Sequence, residues 1–271
     1  MTESSSPLGE AIRADTELRM FIETAVQGLG WAANATKVHD VLKKSPLFPI
    51  KDDTQERQRA EQAERFGQEQ ASKGFPYLWY LASVRLWAIL EVAVDDMALD
   101  ALNRLDLIPP SSLLHTLEGP LLPFAGATAD IRASLLLELL EEKCRSRFKP
   151  GVSRFEAVLD PLGLGGPVND DVRKILLELS QARNLIMHRN GIVDKRFAEA
   201  CPWIGAADGS PLPLVENHYM MYGLATSWYI LELDRRLRVR EGLDASEEAI
   251  EFQRDLEKKL RCFLASRPLG V

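Results

Sequence analysis

The stretch that decides the fold runs from Glu178 to Asp194 and reads ELSQARNLIMHRNGIVD. Its apolar residues recur at helical spacing, and the polar pair Asn190-Gly191 follows as a stop, with Gly suited to a left-handed cap. Outward from it the same grammar repeats. Leu, Ala, Glu and Arg recur every three or four residues, and alternating strand patterns are scarce. The pattern predicts helices over 10–27, 31–44, 52–72, 76–105, 128–146, 169–188, 216–240 and 245–265. Between them fall the breakers Gly28 and Gly30, Pro46 and Pro49, Gly74, Pro109-Pro110, the loop Gly163-Leu164-Gly165-Gly166-Pro167, and Asp208-Gly209-Ser210-Pro211. Asp244 with Glu247 three residues later reads as a variant capping box for the last helix. The fold class is therefore all-α.

The chain divides by composition. Lys51 to Gly74 contains no Val, Ile, Leu or Met, and Phe66 is its one large apolar side chain. Such a segment buries little and reads as a solvated helix or a linker. It suggests a boundary between an N-terminal helical segment, 1–74, and a main bundle, 75–271. The most apolar window, Phe75 to Val94, carries Arg85 and Glu91, with Asp95 and Asp96 next. It reads as a buried core helix and not as a membrane span. Trp79, Trp87, Tyr77 and Tyr80 at helical spacing belong to that core.

With 271 residues the chain is one large domain or two small ones, and its net charge is -7. That balance disfavours a general nucleic-acid coat, which needs a broad cationic surface. It leaves room for a small basic pocket. Arg outnumbers Lys by 22 to 11, a bias that suits planar oxyanions but also follows codon usage. Cys144, Cys201 and Cys262 are odd in number and far apart, so a disulfide framework is not expected and a cytoplasmic setting fits. The Ser-rich start has no basic, then apolar, signal-peptide pattern.

Little of the familiar chemistry is present. The glycine loop 163–167 lacks the Lys-Ser/Thr ending of a phosphate cradle and a preceding strand, so it reads as a flexible connection. His39, His115, His188 and His218 form no i, i+3 or i, i+4 pair. Asp52-Asp53 and Asp170-Asp171 sit at predicted helix starts, where carboxylates complement the dipole. No metal and no cofactor is expected. What stands out is Arg183, followed by polar Asn184, the apolar run Leu185-Ile186-Met187, and His188. Arg upstream of His at this range occurs about once by chance in such a chain, so the surroundings carry the signal. Positions five apart on a helix point about 140° apart. Arg183 and His188 therefore converge only if the helix ends near His188 or if a second subunit supplies the matching pair. A plain helix-end role, capping or ion pairing, explains the same residues.

Arg183-Asn184, three residues, His188, then Asn190-Gly191-Ile192-Val193-Asp194, resembles the hallmark of the HEPN superfamily and its usual sequel. Leu86 to Asp96, with Glu91 after an apolar run, resembles the first long helix of many HEPN domains. The resemblance spans about residues 75–240. It implies an antiparallel helical bundle and a metal-independent endoribonuclease, often a toxin or antiviral defence effector. It also implies a homodimer whose paired Arg and His line a cleft, with RNA as substrate and an antitoxin or other protein as a further partner. By position Arg183, His188 and Asn184 take the catalytic places. Candidate substrate contacts are Glu91, Arg189, Asn190, Arg235 and Arg236. The last two belong to a basic run with Arg238 and Arg240 that suits either RNA phosphates or a helix C-terminus. Glu91 is also placed to pair with Arg85 or Arg183. Other members of the superfamily lack activity and bind nucleotides or proteins, which is the alternative reading.

Overall fold

The computed structural model describes residues 6–45, 53–110, 112–119 and 121–266. The breaks expected at Pro46 and Pro49 lie outside them, as does Asp52. Among the described residues 78% are helical and none form a strand. The helices are α1 (Pro7–Ala32), α2 (Ala35–Lys43), α3 (Asp53–Ser72), α4 (Pro76–Leu102), α5 (Leu121–Gly126), α6 (Ala129–Cys144), α7 (Ser153–Leu159), α8 (Asp170–Arg189), α9 (Lys195–Ala200), α10 (Glu216–Arg240) and α11 (Glu247–Ser266). The short α5, α7 and α9 escape a periodicity reading because they offer fewer than three turns each.

Two sequence expectations at helix ends change. Gly28 and Gly30 do not stop α1; a Cβ at either would meet nothing within 4 Å. Each costs only about 1 kcal/mol in a solvated helix, which Pro7 at the first turn and the Ser6 cap on the Gly9 N–H offset. At α11 the cap is Ser246, whose hydroxyl accepts from the Ala249 N–H at 3.4 Å, and not Asp244.

Helix α4 is long and apolar enough to cross a membrane by composition, yet 56% of that window is buried inside the protein. Leu86, Leu90 and Met97 are fully enclosed, each contributing about 1.5–3 kcal/mol by leaving water. Trp79 and Trp87 are buried as expected, but Tyr77 is 60% exposed. Helix α4 packs against α1, α6, α8 and α10. Directions follow from the contacts. The Trp79 ring stacks on Tyr219 at 5.6 Å, while Arg240 reaches the Ala101 and Arg104 carbonyls. So α10 runs parallel to α4. Helix α8 opposes both, because its last residues meet Tyr80 and its start lies by Arg236. The bundle is thus not antiparallel throughout.

Ala11, Leu18 and Ile22 of α1 belong to the same buried cluster as α4 and α10. Residue 74 therefore marks a change of composition and not the edge of a separate core. Helix α3 is the solvated element of that region. Its closest approach is at Gly67, where a Cβ would come within 2.5 Å of the Ala33 backbone. Polar contacts hold it: Glu64 accepts from the Thr36 N–H at 2.8 Å, and Lys43 reaches Asp53 at 2.7 Å.

Candidate functional site at the end of helix 8

Helix α8 is fixed at both ends. Its cap, Asn169, accepts from the Asp171 and Val172 N–H groups, and Asp170 and Asp171 complement the dipole. At the far end Asn190 turns left-handed (φ 51°) and Gly191 follows (φ 73°). The Gly191 N–H closes on the Leu185 carbonyl at 3.0 Å. Gly191 is needed for space as well as conformation, because a Cβ there would lie 2.5 Å from the Tyr80 ring. The Tyr80 hydroxyl donates to the Leu212 carbonyl at 2.7 Å, and the Leu212 N–H donates to the Gly191 carbonyl at 2.8 Å. Tyr80 is thus a clamp between α4, the end of α8 and the 209–212 segment.

Halfway along, Glu178 is fully buried. It accepts from Trp203 Nε1 at 2.6 Å and from the Tyr222 hydroxyl at 2.9 Å. A buried carboxylate with such donors ties α8 to α10 and to the turn after α9. Sequence reasoning assigned Glu178 no role. Its partners lie 25 and 44 residues away, beyond the reach of any local pattern.

The predicted trio sits on the last turns of α8. Asn184 and His188 are exposed and share a face at i, i+4. Arg183 is half-buried on the flank, and its Nη1 donates to Asn184 Oδ1 at 3.3 Å. Among the described residues Arg183 pairs with no carboxylate, and His188 has neither a hydrogen bond nor an ion pair. The helix runs through Arg189, so within one chain the two side chains leave it about 140° apart. Arg189 forms a 3.7 Å ion pair with Asp194, which also caps α9 at the Phe197 N–H. Asn190 is the exposed left-handed cap. Both Arg189 and Asn190 adjoin His188.

The remaining candidates lie elsewhere. Glu91 pairs with Arg154 at 3.4 Å, not with Arg85 or Arg183. It lines a cavity of about 370 Å³ with Asp95, Glu141 and Arg154, whose wall includes none of Arg183, Asn184 or His188. Asp95 is exposed as a residue, yet lining the cavity costs its carboxyl part of its water, and this with the Glu141 and Glu91 charges pushes it up to about 6.

The 235–240 basic run turns inward. Arg236 is buried; its Nε donates to Glu232 at 2.9 Å and its Nη1 to Glu156 at 2.9 Å. Further bonds run to the Leu164 and Pro167 carbonyls, each at 3.0 Å. Arg235 binds Glu232 bidentately, and Arg238 and Arg240 donate to backbone carbonyls. Arg236 is thus no phosphate guide, and Arg235 is held by the same carboxylate. The glycine loop is not a flexible connection either. It wraps the Arg236 guanidinium, a Cβ at Gly166 would lie 3.0 Å from it, and the Gly166 N–H donates to Glu156.

Among the described residues no three His, Cys, Asp or Glu side chains group closely enough to hold a metal ion. No protein-family model, no curated protein and no solved structure matches the chain.

Proposed function

We propose that this protein is an endoribonuclease of the HEPN type, cutting RNA by attack of the substrate's own 2′-hydroxyl. One observation carries the reading. Arg183 and His188 lie on the last turns of a helix capped at both ends, both side chains are free of carboxylate partners, and Asn184 holds the guanidinium at 3.3 Å. Arg189, by contrast, is engaged by Asp194.

The chemistry follows from the groups. RNA needs a proton acceptor at the 2′-hydroxyl, a donor at the leaving 5′-oxygen, and charge stabilisation at phosphorus. His188 exchanges the protons. The Arg183 fork stabilises the phosphorane oxygens, and Asn184 orients that fork. The oxygen of the 2′-hydroxyl bonds to phosphorus as the 5′-oxygen leaves with a proton, so the products are a 2′,3′-cyclic phosphate and a 5′-hydroxyl.

The 140° divergence supports a homodimer in which Arg183 of one copy and His188 of the other face one phosphodiester. A cytoplasmic toxin or defence effector, restrained by an antitoxin or other protein partner, is the setting this reading implies. Mixing Arg183→Ala with His188→Ala protein tests it. Half of randomly mixed dimers are mixed, and each keeps one intact composite site, so about a quarter of wild-type cleavage returns. No return of cleavage on mixing would place both groups in one chain. A protein that cuts no RNA would overturn the reading.

A further inference from the structure

The run from Lys143 to Arg154, KCRSRFKPGVSR, holds five cations and no carboxylate, an unusual concentration in a chain of net charge -7. It joins the last turn of α6 to α7 through a 3-10 turn, Arg145–Arg147. Apolar anchors alternate with the cations. Cys144 and Val152 are buried, and Phe148 packs against the core under the Arg154 guanidinium. Arg154 is engaged by Glu91. Lys143, Arg145, Arg147 and Lys149 are exposed and form no ion pair among the described residues. Four exposed cations within seven residues, unpaired although Glu141 and Glu142 directly precede them, are poorly explained as stabilising ion pairs.

Their place in the fold gives them a use. Gly151, at the end of this run, presses on α8: its N–H donates to Ser180 Oγ at 3.4 Å, and a Cβ there would lie 2.9 Å from Leu177 Cα. Leu177 and Asn184 are seven residues apart on α8 and lie near one face, about 10 Å apart along the axis. The chain leaving the basic turn therefore meets α8 at Gly151, about two turns before the Arg183–His188 site.

We propose that the 143–149 turn is a phosphate grip that holds single-stranded RNA beside that site. It resolves how an acidic protein engages RNA: a local cluster of free cations supplies affinity, while the acidic remainder supplies none. The inference rests on the RNA reading above but is tested apart from it.

The test measures binding of a short fluorescein-labelled single-stranded RNA by anisotropy across a salt series. All proteins carry His188→Ala so that the probe is not cut. The variant R145A/R147A/K149A is compared with K258A/K259A/R261A on α11, which changes net charge equally. The grip predicts that the first variant weakens binding and flattens the slope of log K against log salt by about 2, at about 0.7 per cation. The α11 variant leaves the slope unchanged. R145K/R147K/K149R, with charge kept, restores binding, and an unchanged Tm of the alanine variant shows that its turn still folds. Equal effects of the two triple variants, no effect of either, or no RNA binding by the parent would each overturn the grip. Cleavage by wild-type protein is scored separately. Cleavage with an inert 143–149 turn sinks only the grip, and a working grip without cleavage sinks only the nuclease reading.

Discussion

Replacing Arg236 with Ala removes a guanidinium that binds two carboxylates, Glu232 and Glu156, and two loop carbonyls. The arginine and Glu232 side chains are each only 6% exposed, so water cannot take over these bonds. Removing one partner of a buried ion pair costs about 3–5 kcal/mol, and the lower end applies because Glu232 keeps its bidentate Arg235 contact. For a chain of 271 residues that is roughly 5–9 °C in Tm. The loss has a pH signature. Burial alone would raise the Glu232 carboxyl, but hydrogen bonds from Arg235 and Arg236 outweigh it and hold it below its ordinary 4.5. A carboxyl depressed in the folded state stabilises that state above its unfolded value, and this contribution fades as pH falls through the folded value. The Tm gap between wild type and Arg236→Ala is therefore widest at pH 7 and narrows below about pH 4.5. Differential scanning fluorimetry from pH 7.5 to 4 measures it. A gap of a few degrees that does not change with pH would refute the buried-network reasoning and leave Arg236 as mere packing.

Gly191→Ala forces a left-handed alanine against the Tyr80 ring and should cost roughly 1–3 kcal/mol in urea unfolding; the loss should shrink in a Tyr80→Ala background. Tyr222→Phe removes one donor from buried Glu178, for about 1–3 kcal/mol by the same assay, and a neutral result would mean the hydroxyl is not needed there. Asp95 has a raised carboxyl, so its contribution is intact below its unfolded value of 3.8 and is lost as pH rises through about 6. Asp95→Asn should therefore raise Tm at pH 7.5 and leave it unchanged near pH 4.

The long helices are legible in sequence because each carries its own period and stops, as Asn190-Gly191 does for α8. Arg183, Asn184 and His188 are legible for the same reason: they lie within two turns of one helix. What local pattern does not carry is where arginines point. Arg145 and Arg147 face solvent while Arg236 is buried, and both sit in Arg-rich runs. The difference is made by Glu156, 80 residues from Arg236 in the chain, and by carbonyls of the 163–167 loop. Local sequence does not separate the two: Glu232 lies one turn before Arg235 and Arg236, and Glu141 and Glu142 lie one turn before Arg145. The parallel course of α4 and α10 likewise rests on long-range contacts such as Trp79 with Tyr219.

End-group analysis of RNA incubated with purified protein in EDTA tests metal-free cleavage by Arg183 and His188. Fragments should end in 2′,3′-cyclic phosphate and start with 5′-hydroxyl, at rates reduced by about 10²-fold or more in both Arg183→Ala and His188→Ala. Fragments with 3′-hydroxyl ends, cleavage that needs added metal, or full activity in His188→Ala would contradict it.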